Sequence, residues 1–206
     1  MARLKNIELI KNIAILFVVL NHCMNPYTGL WVYTSTQNST VFDFIARYIG
    51  SFHMALFVFC SGYIYFYKKD YKMNIIELIK KKYYRLIIPF IFVTFFWIIP
   101  VRKAIGFYNH DLIYLYLKNV VLGVDPGPTW FLLMLFNIFI IVHIFYKLVK
   151  RFNYKIKIIG LIVLFFISES ISEIKYSIIM LYQFKATIVY LPFFFDGGWC
   201  ISIKMK

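Results

Sequence analysis

The sequence predicts an all-α protein, a polytopic bundle of about six transmembrane helices with both termini in the cytoplasm. Hydrophobic residues make up 62% of the 206 residues and aromatic residues 21%. The mean hydropathy is +0.72, far above the value expected of a soluble globular domain. The third observation is that basic residues collect in alternate loops, as they do in membrane proteins.

Six segments approach the roughly 17–25 mainly apolar residues that a membrane-spanning helix needs. They run near residues 7–24, 44–67, 84–101, 130–149, 156–171 and 186–203. Acidic residues interrupt the last two, at Glu169, Glu173 and Asp196. The stretch between these two, YSIIMLYQF, is therefore open to a re-entrant or interfacial interpretation. Since we find no repeat or linker, we interpret residues 1–206 as a single membrane domain.

Lysine and arginine set the expected orientation, because short cytoplasmic loops carry the positive excess. The loop after the second span, KKDYKMNIIELIKKKYYR, is strongly basic, whereas the first external loop, NPYTGLWVYTSTQNST, has no charge. Both termini are therefore predicted to be cytoplasmic. This alternation accounts for most of the +14 net charge, so the basic character needs no nucleic acid partner.

The first span carries two ionisable residues, Lys11 and His22, in a segment built for lipid. Eleven steps of about 100° bring the two side chains to within about 20° of one helix face, ~16 Å apart along the axis. Glu8 lies one turn before Lys11, at a spacing that allows an ion pair. Ionisable groups in a bilayer usually face a bundle interior or a watered cavity. A snorkelling lysine and an interfacial histidine are the alternative.

The second span places Arg47 and His53 in its outer half, at a depth similar to that of His22. The two imidazoles are expected to meet if the first two spans pack antiparallel, and Ser61-Gly62 offers a close helix approach. Two histidines at one depth beside an arginine form a better candidate site than a lone histidine. The three cysteines have no metal-ligand spacing, and we expect no metal site.

Four stretches occur in an order and spacing that resemble one family: IELIKNIAILFVVLNH, SFHMALFVFCSGY, KKKYYRLIIPFIFV and GPTWFLLMLF. Together they are similar to bacterial acyltransferase family 3, integral-membrane O-acyltransferases that acylate cell-envelope polysaccharides and related exported molecules. The resemblance implies a multi-pass protein of the bacterial cytoplasmic (inner) membrane. Family members usually have about ten helices, so we expect this chain to be a C-terminally truncated member.

The resemblance assigns roles in the first two helices. Lys11 and His22 match the family's basic residue and histidine, with lysine where arginine is usual, which loses the bidentate fork but keeps the charge. Glu8 matches the family's aspartate and is grouped with the catalytic residues. His53 belongs to the family's Phe-His pair, followed here by Ala55 in place of a proline.

The implied reaction moves an acyl group, commonly acetyl, from cytoplasmic acyl-CoA to a hydroxyl of an envelope glycan or lipid-linked sugar. His22 is the expected general base with His53 as helper or alternative, since histidine exchanges protons near neutral pH. No cofactor is expected to stay bound, and acyl-CoA is the donor substrate.

Charged and aromatic residues supply the expected binding groups. Lys82 and Arg85 match paired basic residues of the family and are expected to bind the donor phosphates with Lys11. Arg47 and Trp130 are the expected acceptor contacts. The alternatives are a positive-inside cluster at residues 80–85 and an interfacial anchor at Trp130.

Two other functions stay open. A small sugar transporter or flippase component also carries intramembrane His and Lys residues, and a truncated remnant would insert without catalysing. Loss of donor binding on removal of Lys82 and Arg85 distinguishes the enzyme from a transporter of a neutral sugar.

Overall fold

The computed structural model describes residues 2–28, 38–149, 154–172 and 181–204. It is 89% helical and contains no strand in these ranges, which confirms the all-α prediction. The α-helices are α1 (Ala2–Met24), α2 (Thr40–Tyr67), α3 (Ile75–Lys82), α4 (Ile88–Val93), α5 (Ile99–Ala104), α6 (Leu112–Tyr116), α7 (Trp130–Val149), α8 (Tyr154–Ser172) and α9 (Phe184–Lys204).

Four helical stretches of the described chain are long and apolar enough to cross a membrane, and they coincide with the first four predicted spans. They are Asn6–Tyr27, Thr40–Tyr67, Ile75–Ala104 and Gly127–Tyr146. The fifth predicted span falls on a shorter apolar helix, Ile158–Ile171, and the sixth falls on α9. The number of spans and the side of each terminus stay predictions. Glu173, most of YSIIMLYQF and residues 29–37 of the first external loop lie outside the described residues.

The third long helix, Ile75–Ala104, is built from α3, α4 and α5 with a π-helical turn at each junction. These turns cover Tyr83–Ile87 and Thr94–Ile98, and each immediately precedes the first turn of a helix with proline at its second position. Proline has no amide proton and its ring crowds the carbonyl four residues earlier. A wider π-turn relieves that crowding and often marks a functional segment.

The chain divides into two compact units. The first unit contains Met1–Lys68 and Phe193–Lys206, and the second contains Lys69–Pro192. The boundary therefore falls within α9, directly after Pro192, whose missing amide proton interrupts the helix ladder there.

The first unit is built on α1 and α2, which pack along each other. Ile7 of α1 joins Cys60 and Tyr63 of α2 in a buried apolar cluster. Gly62, which was expected to allow close approach of α1 and α2, instead faces Phe194 of α9. A Cβ atom at Gly62 would overlap the carbonyl oxygen of Phe194, and one at Gly197 would overlap that of Phe59. The glycines therefore allow α2 and the end of α9 to approach closely, as small residues do in membrane bundles.

The second unit packs α7 against α3 and the π-turn that follows it. Thr94 and Thr129 share a buried hydrogen bond of 2.7 Å between their hydroxyls. The rings of Tyr71 and Tyr146 pack in a tilted arrangement with their centroids 4.7 Å apart. These contacts hold the beginning and end of α7 to the preceding helices of the same unit.

Candidate active site

The first unit brings the two predicted histidines together. Phe17 of α1 and Phe52 of α2 pack edge to face with centroids 5.4 Å apart, one residue before His53. His22 lies five residues after Phe17 in α1, and His53 directly follows Phe52 in α2, so the contact between the two phenylalanines brings both histidines to the same end of the helix pair. The antiparallel packing on which the predicted meeting depended is therefore present.

His53 is held in a defined orientation. Its ring is buried, and Nδ1 lies 2.7 Å from the carbonyl oxygen of Ile49. A carbonyl can only accept a hydrogen bond, so Nδ1 carries a proton and donates it to Ile49, which fixes the orientation of the ring. The side chain of His22 is exposed on α1. The pair therefore combines an oriented, buried imidazole with an accessible one.

Asn21 is a site residue that sequence reasoning missed. Its Nδ2 donates a 2.6 Å hydrogen bond to the carbonyl oxygen of Ala46, and its Oδ1 accepts one of 3.0 Å from Asn25. The side chain is buried between α1 and α2. This bond fixes the rotation of α1 next to His22. The available signal was an amide directly before a histidine in an apolar span.

Lys11 takes a different partner from the one expected. Its Nζ lies 5.4 Å from the ring centroid of Phe57, within cation–π range. Glu8 is exposed, and its expected ion pair with Lys11 is absent from the described residues. The aromatic face of α2 attracts the ammonium instead, so this part of the prediction was wrong.

Arg47 lies away from the histidine pair on the exposed surface of α2. Its Nε contacts both carboxylate oxygens of Asp43 at 2.9 Å, and 63% of its side chain is exposed. The structure thus brings Lys11, His22 and His53 to the α1–α2 interface and leaves Glu8 and Arg47 outside it. The catalytic and binding roles of these residues stay predictions.

In the second unit, Lys82 is enclosed by an acidic and an aromatic partner. The residue is only 7% exposed, and its Nζ lies 3.7 Å from Asp70 Oδ2 and 3.4 Å from the ring centroid of Phe139. Lys81 donates to the other oxygen of Asp70 at 3.1 Å. A buried ammonium is costly unless it is paired, so Asp70 is what allows Lys82 to be buried here.

Arg85 is exposed and interacts electrostatically with Lys82. The two predicted donor-binding cations are therefore neighbours, as the paired basic residues of the family resemblance implied. Asp70 was missed because it lies in a lysine-rich run that resembles a solvated loop. Its 6% exposure shows that it is instead the buried counter-ion of this cluster.

Trp130 begins α7 and borders a cavity, which we call the Trp130 pocket. The indole and the ring of Tyr190 have centroids 5.9 Å apart and planes inclined by 40°. The pocket has a volume of about 350 Å³ and is lined by Val124, Trp130, Gln183, Lys185, Ala186, Val189 and Tyr190. All of these residues belong to the second unit.

One side of the Trp130 pocket rests on an unusual turn before α9. Tyr182 and Gln183 have φ angles of 48° and 59°, in the left-handed region that costs non-glycine residues about 1–2 kcal/mol each. Hydrogen bonds hold the turn: Tyr182 N donates to Leu122 O at 2.9 Å, and Asn137 Nδ2 donates to Tyr182 O at 2.6 Å. The strain is therefore maintained by contacts from two other segments of this unit.

A second polar cluster orders the turn that precedes Trp130. Arg102 Nη1 donates to the hydroxyl of Tyr108 at 3.0 Å and lies 3.8 Å from Asp125. Asn119 Nδ2 donates to the same hydroxyl at 3.2 Å. Burial raises the pKa of Tyr108. The guanidinium packs on Gly127, whose φ is 60° and whose missing Cβ leaves room for it.

The fold and these sites define a helical membrane protein with ionisable groups gathered inside its apolar helices. The model of the family described as an acyltransferase domain, acyltransferase family 3, matches residues 4–206. The chain belongs to this family, which confirms the resemblance found in the motifs. No curated protein and no solved structure matches the chain.

Proposed function

We propose that the chain is a membrane O-acyltransferase that moves an acyl group, in the first instance acetyl, from cytoplasmic acyl-CoA to a hydroxyl of a cell-envelope polysaccharide or lipid-linked sugar. The observation that carries the proposal is the His22–His53 pair at the α1–α2 interface, in a chain that belongs to acyltransferase family 3. The apolar helices support a multi-pass protein of the cytoplasmic (inner) membrane.

The proposed reaction uses His22 as the general base. The acceptor hydroxyl attacks the thioester carbonyl as His22 takes its proton, so that a C–O bond forms and the C–S bond breaks. The imidazolium then returns the proton to the departing thiolate. The products are an ester and free CoA. Histidine suits both transfers because its unperturbed pKa lies near 6.5. His53, fixed by Ile49, orients the pair.

The basic cluster of the second unit is the proposed site for the donor's phosphates. Lys81, Lys82, Arg85 and Asp70 together carry a net charge of +2, three cations against one carboxylate. Phosphate oxygens form strong charge-assisted hydrogen bonds with lysine and arginine. A phosphate arriving at Lys82 would compete with Asp70 for the ammonium. Lys11 remains a third proposed contact to the donor.

The experiment that tests the proposal follows label from radioactive acetyl-CoA into envelope glycan in membranes that contain the chain. His22→Ala is expected to abolish transfer, and His110→Ala is the matched control, because His110 is an exposed histidine that contacts Tyr114. All variants are compared at equal abundance. Equal transfer by His22→Ala and the native chain would exclude His22 as the base.

Transport is the second candidate, favoured by the presence of Lys11 and two histidines in apolar helices. Equilibrium binding of acetyl-CoA separates the two functions. The enzyme should lose donor affinity in the Lys82→Ala/Arg85→Ala variant, with Lys68→Ala/Lys69→Ala as a control at exposed lysines. A native chain that inserts stably but neither binds the donor nor transfers label would favour transport or an inactive remnant.

A further inference from the structure

We infer that the start of the third long helix binds the headgroups of anionic phospholipids through its exposed side. This surface, which we call the α3 face, is formed by Ile76, Ile79, Lys80, Tyr83 and Tyr84. The partner is a phospholipid with a net negative headgroup, such as phosphatidylglycerol, in the leaflet that the predicted orientation makes cytoplasmic. The inference does not depend on the acyl-transfer reaction.

The third long helix is longer than the apolar layer of a membrane is thick. Ile75–Ala104 contains 30 residues, or about 45 Å at about 1.5 Å per residue, whereas the hydrocarbon core measures about 30 Å. Residues 86–101 carry no charge, so this part of the helix belongs in the core. The residues before it, α3 and the start of the following π-turn, therefore lie at the level of the lipid headgroups.

Contacts inside the second unit fix which side of α3 is exposed. Leu78 is fully buried, and Lys82, one turn later, packs on Phe139 of α7. The side chain of Asn74 accepts a hydrogen bond of 3.2 Å from Ile76 N and so caps the start of the helix. The α3 face lies on the side of the helix that points away from α7.

The α3 face combines apolar and basic groups, as a membrane interface requires. Ile76 is 71% exposed and Tyr84 is 61% exposed, and such large apolar surfaces are unfavourable in water. Lys80 is exposed among them. Its apolar stem suits the lipid boundary, while its ammonium reaches the phosphates. Tyrosine is enriched at this depth, and basic amphipathic helices bind anionic lipid surfaces.

The charge of this region favours an anionic headgroup over a zwitterionic one. From Asp70 to Arg85 the chain has five basic and two acidic residues, a net charge of +3. Lys81 and Lys82 already share the carboxylate of Asp70, and Glu77 is the one exposed acid of the stretch. The exposed cations are Lys72, Lys80 and Arg85. One basic residue near an anionic surface strengthens the attraction roughly fivefold.

The test measures which lipid touches the α3 face of the full-length chain in lipid nanodiscs. Ile76→Cys carries a fluorescent label, with Cys23 and Cys200 replaced by serine and Cys60 protected by its burial. The bilayer is phosphatidylcholine with a minor share of brominated phosphatidylglycerol or brominated phosphatidylcholine, because bromine quenches the label on contact. Ile113→Cys is the matched reporter, since Ile113 is 76% exposed and lies in α6, away from the α3 face.

Two charge variants accompany the Ile76→Cys reporter. Lys72→Gln/Lys80→Gln removes two cations at the α3 face. Lys103→Gln/Lys118→Gln is the matched control, because it removes the same charge from the far end of the long helix and from the π-turn after α6.

At Ile76, brominated phosphatidylglycerol should quench roughly fivefold more strongly than brominated phosphatidylcholine. The two lipids should quench equally in Lys72→Gln/Lys80→Gln and at Ile113, whereas Lys103→Gln/Lys118→Gln should keep the native preference. An unchanged preference in Lys72→Gln/Lys80→Gln would overturn the proposal. The same preference at Ile113 would also overturn it, because the net charge of the chain would then be the cause.

Two further outcomes identify a different occupant of the α3 face. Absence of quenching by either lipid at Ile76 would show that protein covers the face, and would overturn the lipid site. Acetyl-CoA should leave the preference unchanged. Its loss on addition of acetyl-CoA would assign the exposed cations to a soluble phosphate ligand and would equally contradict the inference.

Discussion

Replacing Gly62 with alanine should separate α2 from the end of α9. The added methyl would overlap the carbonyl oxygen of Phe194 and lie 2.9 Å from its carbonyl carbon and 3.0 Å from its Cα. Carbon atoms in contact are ordinarily about 3.5–4.0 Å apart, and the overlap with the oxygen is the tighter one, so the helices would have to move by about 1 Å. A backbone group cannot escape by changing rotamer, and overpacking typically costs about 1–3 kcal/mol.

The net effect follows from two opposing terms. Alanine stabilises a helix by about 1 kcal/mol relative to glycine. With an overpacking cost of about 3 kcal/mol, the upper end of the range given above, the free energy of unfolding falls by about 2 kcal/mol. For a chain of this length, that corresponds to a fall of about 4–8 °C in the unfolding midpoint. Gly160→Ala is the matched control, because a methyl there meets nothing within 4 Å. This variant therefore has the gain in helix propensity without the clash.

Cys60 provides the readout. It is fully buried next to the contact, whereas Cys23 and Cys200 are exposed and would be replaced with serine. A thiol-reactive fluorescent dye then reports exposure of Cys60 during heating. If Gly62→Ala unfolds at the same temperature as Gly160→Ala, or higher, the close approach of α2 to Phe194 is refuted.

The remaining predictions concern the second unit and use the same thermal assay with light scattering as the readout. Asp70→Asn should cost about 3–5 kcal/mol, because it leaves Lys82 buried without its counter-ion, and the double variant with Lys82→Met should recover most of the loss. No recovery would contradict the ion pair as the cause. Gly127→Ala should destabilise more than Gly106→Ala, since both glycines have positive φ but only Gly127 meets the guanidinium of Arg102. Equal losses would show that the Arg102 contact contributes nothing.

Local and periodic features of the sequence predicted the helices and part of the site. Hydropathy located the first four long helices, because each is a continuous apolar segment of sufficient length. The meeting of His22 with His53 was predictable since successive spans connected by one loop run antiparallel. Lys82 and Arg85 were paired by the family resemblance, without any geometric argument from the sequence.

Contacts between distant segments could not be predicted in this way. Gly62 meets Phe194 more than 130 residues later in the chain, and no local pattern specifies that partner. Asp70 is buried against Lys82, which itself packs on Phe139 of α7, and the charged sequence around Asp70 does not indicate either contact. The expected ion pair of Glu8 failed because Phe57, on another helix, offers Lys11 an aromatic face.

The most direct test of the central claim is the chemical form of the label that the purified chain transfers from radioactive acetyl-CoA to envelope glycan. An O-acetyl ester is cleaved by mild alkali, whereas an N-acetyl group is not. The account predicts label in the glycan that depends on the chain and is released by mild alkali as acetate. Label that resists alkali, or no label from a stably inserted chain, would contradict O-acyl transfer.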